Sequence, residues 1–324
     1  MLSLNELQTL LTRYAETHPF PAQPATLYEP CNYMLSLGGK RLRPLMVLVG
    51  CQLYTDAIEA ALPAAWAVEL FHNFTLIHDD IMDAASLRRG QPTVHTRWNA
   101  NTGILSGDVM LIYAYKHLLH TANAEAAADL VRIFNRIAIE VCEGQQHDLD
   151  FEQRDDVSLE EYLRMIEQKT AVLLGGALEM GARCAEAPAT DREHLYRFGC
   201  LAGTAFQIQD DWLDTYGQTA RVGKQIGGDI LQNKKTFLVL KTLERATEAD
   251  QHTLRQWLRT PADTPGKVEA VRAIFDRYDM VNYAAQAKAK LRSAAFEQLN
   301  RISAPLHRQE PLRQLVEQLL ERDQ

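Results

Sequence analysis

Cysteine is sparse and poorly placed for cross-linking. Five residues, Cys31, Cys51, Cys142, Cys184 and Cys200, are scattered over 324 positions with no C-x-x-C pair. That excludes a disulfide framework or a thiolate zinc site and predicts small buried hydrophobes in a reducing compartment. An excess of positive charge is also missing. The net charge of −8 has the wrong sign for a general nucleic-acid binder, whose footprint is basic. No run approaches the roughly 18 uncharged apolar residues that span a bilayer. The N-terminus, Met1-Leu-Ser-Leu-Asn-Glu-Leu-Gln, is acidic and amphipathic rather than basic then apolar, so it does not read as a targeting segment. These features predict a cytoplasmic chain. Strand-like alternation is scarce, no fixed-period repeat is visible, and no low-complexity or Pro/Ser-rich linker divides the sequence.

Hydrophobic residues make up 46% of the chain and charged residues 23%, which supports a sizeable core. Apolar residues recur at spacings of three and four over 60–83, 123–148, 159–187, 191–214 and 268–299. Breaks are short and carry turn residues, at 37–39, 89–92, 186–188, 216–217 and 260–261. The pattern predicts one all-α domain over 1–324.

Two of the predicted helices end in the same acidic word, D-D-x-x-D: Asp79, Asp80 and Asp83, then Asp210, Asp211 and Asp214. Carboxylates are costly to bury, and a helix C-terminus is already negative, so six of them placed there call for cations. At 100° per residue, His72, Thr75, Asp79 and Asp83 share a stripe within roughly 40°, with Asp80 to its side. On the second helix Gln207, Asp211 and Asp214 share a stripe and Asp210 lies about 60° off. Oxygen-only ligands select hard cations, Mg²⁺ above all. Mg²⁺ takes one or two carboxylates and completes its shell with water and phosphate. Basic residues accompany the acids: Gly38-Gly39-Lys40-Arg41-Leu42-Arg43-Pro44, Arg88-Arg89-Gly90, Lys169-Thr170, Val222-Gly223-Lys224 and Lys234-Lys235. Glycines admit an anion close to the backbone, and Arg forks match phosphate oxygens. The arrangement suggests one diphosphate held through metal and another held mainly by Arg and Lys.

These words resemble those of the trans-type prenyl diphosphate synthases, the family of farnesyl and geranylgeranyl diphosphate synthases. To those above are added Glu69-Leu70-Phe71-His72, Leu76-Ile77-His78-Asp79-Asp80-Ile81-Met82-Asp83, Gly203-Thr204-Ala205-Phe206-Gln207-Ile208-Gln209-Asp210-Asp211-Trp212-Leu213-Asp214, and Gly227-Gly228-Asp229 to Asn233-Lys234-Lys235. They occur in the family's order over residues 35–240. The resemblance implies a single large antiparallel helical bundle around a central cavity, the isoprenoid synthase fold, usually as a homodimer. It implies that Lys40, Arg43, His72 and Arg89 hold isopentenyl diphosphate. Asp79 and Asp83 match ligands of two Mg²⁺ and Asp210 of a third, with Asp211 and Asp214 in support. Arg88, Lys169, Lys224 and Lys234 match contacts to the allylic diphosphate, and Thr170 and Gln207 match polar groups beside the reacting carbon.

The implied reaction condenses isopentenyl diphosphate with a dimethylallyl, geranyl or farnesyl diphosphate. Mg²⁺ and cations stabilise the departing diphosphate. The Thr170 and Gln207 oxygens and the Lys169 backbone carbonyl stabilise the carbocation, and released diphosphate takes the proton. No protein general base is needed. A terpene cyclase would share the fold and the first acidic word but not the second diphosphate clamp, and a non-catalytic subunit would lack one acidic word. His78, about 100° from Asp79, reads as packing or hydrogen bonding, and His147-Asp148 is not read as a metal site.

Residues one turn before the first acidic word are expected to set the depth available to the growing chain. They are Phe74 and Thr75, the latter about 6 Å deeper than Asp79. An aromatic at the deeper position only resembles archaeal-type geranylgeranyl synthases. Geranylgeranyl diphosphate is the expected main product, then farnesyl; a long-chain product ranks lower.

Overall fold

Helices account for almost all regular structure in the computed structural model, which describes residues 1–121, 124–217 and 227–321. In chain order they are α1 (Leu4–Thr17), α2 (Ala25–Ser36), α3 (Leu42–Gln52), α4 (Leu62–Met82), the one-turn α5 (Val94–Arg97), α6 (Ala100–Leu118), α7 (Ala124–Glu152), α8 (Leu159–Ile166), α9 (Val172–Cys184) and α10 (Ala189–Tyr216). There follow the one-turn α11 (Gly228–Leu231), α12 (Phe237–Arg245), α13 (Glu248–Leu258), α14 (Lys267–Arg277), α15 (Met280–Leu299) and α16 (Leu306–Leu320). The sheet among the described residues is a two-residue hairpin, β1 (Leu87–Arg88) against β2 (Gln91–Pro92). The all-α expectation therefore holds.

Local chemistry explains where helices start. Ser3 and Ser158 form capping boxes with Glu6 and Glu161, each hydroxyl and carboxylate satisfying orphan N–H groups reciprocally. Asn99, Thr236 and Thr247 cap α6, α12 and α13 with single side-chain bonds.

Two predicted stretches differ in detail. The helix over 159–187 contains a π-type turn, Glu167–Ala171, between α8 and α9. The stretch over 268–299 is two helices, broken at Tyr278 and at Asp279, which is left-handed with φ 56°. The Tyr278 hydroxyl donates to Asp250 Oδ2 (2.7 Å) and accepts from Thr247 N–H (3.0 Å), which pins the corner to the start of α13. The apolar rhythm runs through the break because Val271, Ile274 and Phe275 on α14 and Met280 and Ala284 on α15 join one core.

The chain forms two compact units, each from three segments. The first comprises Met1–Arg136, Gly176–Tyr196 and Ile302–Leu312. Its core includes Val47 and Leu48 of α3, Ala64, Val68 and Phe71 of α4, and Met110 and Ala114 of α6, with Phe71 edge-on to Phe134 at 5.1 Å. The second comprises Ile137–Gly175, Arg197–Arg301 and Arg313–Gln324. Its core gathers Phe151, Tyr162, Ile166, Ile208, Phe237, Leu238, Phe275 and Met280. No helix among the described residues is long and apolar enough to cross a membrane. The five cysteines form no disulfide; Cys31, Cys51 and Cys200 are buried as expected, whereas Cys142 is exposed.

Candidate active site

In the first unit, α4 ends inside the first acidic word, with Asp83 as its C-cap. Asp79 is half-buried and Asp83 exposed, so both carboxylates sit at the negative end of the macrodipole, where a cation is favoured. Asp80 turns away and is 2% exposed. Its two oxygens accept from Arg88 Nε and Nη2 at 2.7–2.9 Å, a forked charge-assisted pair. Asp80 is thus an anchor for the hairpin. Arg88, expected at the allylic diphosphate, spends Nε and Nη2 on that anchor.

The hairpin turns through Arg89 (φ 53°) and Gly90 (φ 75°), two left-handed residues as a two-residue I′-type loop requires. The Arg89 guanidinium is carried to Gly39 (φ 135°), where an added Cβ would lie 2.8 Å from Nη2. Gly39 is therefore needed both for its dihedral and for that close approach. Arg41, left-handed at φ 45°, opens α3, which sends Arg43 inward. Arg43 Nη1 donates to His72 Nε2 at 3.1 Å. Burial holds the His72 pKa well below its ordinary value, and Arg43, Arg89 and Arg88 push the same way. The imidazole is accordingly neutral, with Nε2 assigned as acceptor from its partner. Lys40 is exposed on the same loop. Arg43, His72 and Arg89 are thereby brought into one cluster around the Gly38–Gly39 turn.

Beneath that cluster lies a residue given no role from sequence. Glu69, one turn before His72, is 7% exposed; Oε1 accepts from Asn73 Nδ2 at 3.1 Å, and among the described residues Oε2 has no hydrogen-bond partner. Burial raises its pKa, opposed by the Asn73 bond and by Arg41, Arg43 and Arg89. Those three arginines favour its ionised form. A lone acid inside Ala67-Val68-Glu69-Leu70-Phe71 is the signal that could have found it.

Phe74 and Thr75 are half-buried. The Phe74 ring meets Phe71 at 5.6 Å and, edge-on, His78 at 4.8 Å. Thr75 Oγ1 donates to the His72 carbonyl at 2.9 Å. His78 Nε2 lies 3.0 Å from the Ile104 carbonyl, a hydrogen bond beside its ring contact with Phe74. Gly107 on α6 makes room for both rings: a Cβ there would overlap His78 Nε2 and lie 3.3 Å from Phe74 Cδ2.

In the second unit the π-type turn carries Lys169 and Thr170. Such bulges are frequent at functional sites because they re-aim side chains out of helical register. Gly144 of α7 abuts it; a Cβ there would collide with the Lys169 backbone N. Lys169 Nζ pairs with Asp148 Oδ2 at 2.5 Å, so Asp148 matters as the partner of a lysine rather than as half of a His-Asp metal pair. Helix α10 approaches with glycines: added Cβ atoms at Gly199 and Gly203 would lie 2.5 Å from Gly175 Cα and 2.7 Å from Ala171 Cα. Gln207, one turn beyond Gly203, makes a long contact of 3.5 Å from Nε2 to Asp211 Oδ1.

The second acidic word is used unequally too. Asp210 is half-buried. Asp211 is 4% exposed, and its Oδ2 accepts from the Tyr162 hydroxyl and from Phe237 N–H at 2.9 Å. Burial, then Asp229, raises its pKa to about 7, against the hydrogen bonds from Tyr162, Phe237 and Gln207. Its Oδ2 is thus an internal anchor, which differs from a direct metal ligand. Asp214 Oδ2 accepts from Asp229 N–H at 2.9 Å, and the Asp214 carbonyl accepts from Gly227 N–H at 2.6 Å. Lys234 N–H donates to the Asp229 carbonyl at 3.0 Å. Lys224 lies outside the described residues. Among those residues no three His, Cys, Asp or Glu side chains form a preassembled metal cage.

Residues 24–275 match the polyprenyl synthetase family. The chain is 37% identical over 261 residues to a short chain isoprenyl diphosphate synthase of Methanothermobacter thermautotrophicus, covering 81% of this chain and 80% of that protein. It is 36% identical over 281 residues to a geranylgeranyl diphosphate synthase of Sulfolobus acidocaldarius, covering 86% and 85%. A solved geranylgeranyl pyrophosphate synthase superposes with a TM-score of 0.95 at 42% identity, over 100% of both chains.

Proposed function

Because the chain belongs to the polyprenyl synthetase family and is a trans-prenyltransferase, we propose that it condenses isopentenyl diphosphate with an allylic diphosphate to make geranylgeranyl diphosphate, with farnesyl diphosphate as the lesser product. The cluster of Arg43, neutral His72 and Arg89 around Gly39 carries this reading. A cyclase handles one diphosphate and has no use for this second anion clamp. Lys40, Arg43, His72 and Arg89 would hold isopentenyl diphosphate, Arg forks taking the phosphate oxygens. Arg88, Lys169, Lys224 and Lys234 would contact the allylic diphosphate.

The carboxylates of Asp79, Asp83 and Asp210, supported by Asp211 and Asp214, are the oxygen donors suited to Mg²⁺, three per active site. One or two carboxylates per ion suffice because water and phosphate complete the shell. Bound Mg²⁺ would neutralise charge building on the leaving diphosphate. As the allylic C–O bond ionises, the Thr170 hydroxyl, the Gln207 carbonyl and the Lys169 backbone carbonyl present negative dipole ends to the cation. The isopentenyl double bond then attacks, and a proton leaves to diphosphate. Phe74 would close the path of the growing chain, with Thr75 beside it.

One functional domain over 1–324 fits a family match that runs through segments of both units. A homodimer is supported by α6 and its cap, where Leu105, Ile112 and Leu119 recur every seven residues at 58%, 63% and 67% exposure. Cysteines without a disulfide suit a cytoplasmic setting.

The test incubates the enzyme with Mg²⁺, isopentenyl diphosphate and each allylic primer, and sizes the products. Geranylgeranyl diphosphate should dominate, turnover should vanish with EDTA, and Phe74→Ala should lengthen the products. Products mainly longer than geranylgeranyl in the unmodified enzyme would remove Phe74 as the floor. A cyclised hydrocarbon from farnesyl diphosphate alone would overturn the reaction class.

A further inference from the structure

Lys267, the first residue of α14, is 1% exposed, and among the described residues no acid is bonded to its ammonium group. A buried lysine is costly unless its ammonium finds acceptors. Here Nζ donates to Asn233 Oδ1 at 2.6 Å and to the Thr260 carbonyl at 2.8 Å. Burial lowers its pKa. The partner is telling. Asn233 is left-handed (φ 60°) and immediately precedes Lys234 and Lys235, so its dihedral sets the direction in which they leave the turn.

Further contacts extend the same seat. Val268, next to Lys267, packs on Gly227, where an added Cβ would lie 2.7 Å from Val268 Cγ1. From Gly227 and Asp229 the backbone N–H groups reach back to Asp214, and Lys234 N–H closes onto the Asp229 carbonyl. A continuous set of contacts therefore joins the start of α14 to Asn233, to Lys234 and to the last aspartate of the second acidic word.

We propose that Lys267 is a positioning residue for the allylic diphosphate: through Asn233 it fixes the turn that presents Lys234, while Val268 fixes the other end of the same loop on Gly227. Lys267 touches no substrate. Its ammonium donates to neutral oxygens inside the protein. The inference rests on the prenyl-transfer reading.

The experiment compares Lys267→Met, which keeps the length and removes the charge, with Asn233→Gly, which keeps the left-handed dihedral and removes only the acceptor. Loss of a charged hydrogen bond that orders the turn should raise KM for the allylic diphosphate about tenfold. KM for isopentenyl diphosphate should stay within about twofold, because its clamp is built elsewhere in the chain. Asn233→Gly should show the same split with little loss of Tm, and it decides the matter where Lys267→Met fails to fold. Equal changes in both KM values, or no change in either, would overturn the positioning role. Absence of turnover in the unmodified enzyme would instead overturn the prenyl-transfer reading, so the two failures are distinguishable.

Discussion

The Gly39–Arg89 contact ties backbone geometry to charge placement. Alanine at 39 would need a dihedral that L-residues avoid, and its Cβ would push the Arg89 guanidinium from its seat. Gly39→Ala should lower stability by about 1–3 kcal/mol, the usual cost of a strained backbone residue. It should also raise KM for isopentenyl diphosphate about tenfold while leaving the allylic KM near its original value. Thermal unfolding and separate substrate titrations check both halves. The aspartates show how far single residues could be read from sequence. Helix geometry turned Asp80 away from the Asp79–Asp83 stripe, and the structure agrees. That Asp80 turns towards Arg88 depends on a hairpin folding back eight residues later, which no helical wheel contains. Asp211 shares a stripe with Gln207, yet its main partners are Tyr162 and the Phe237 N–H, far along the chain.

At the scale of elements, the helices followed from periodicity because each needs one apolar face against a core. Their irregularities did not, because those answer to neighbours. The π-type turn at Glu167–Ala171 keeps the apolar spacing of a plain helix, and its close approach to the α7 backbone at Gly144 is a tertiary contact that spacing does not carry. Gly144→Ala should displace that turn, and with it Lys169 and Thr170. A shift of about 1 Å in such groups costs on the order of 10²-fold in kcat. The expected result is a large fall in kcat with a smaller change in Tm, read by steady-state kinetics beside calorimetry. A proportionate loss of both would mean that the glycine serves packing alone. The corner at Tyr278–Asp279 teaches the same lesson: apolar rhythm crosses it unbroken, and a hydroxyl held by Asp250 and Thr247 N–H makes the bend.

At the scale of the molecule, the exposed stripe of Leu105, Ile112 and Leu119 is the surface on which the proposed homodimer rests. A charge placed in a dimer core is strongly disfavoured. Ile112→Glu should therefore shift the protein to monomer in light scattering, with helicity retained because the side chain is exposed in the single chain. The same helix, α6, carries Gly107 on its buried side under the rings of His78 and Phe74. One helix thus bears the proposed assembly surface on one face and the backing of Phe74, the proposed floor of the chain path, on the other. On those two proposals, enzyme concentration becomes a hidden variable in the product spectrum. Diluting the protein through its association range would loosen the helix from outside and let the stopping point drift, with no change at the chemistry itself.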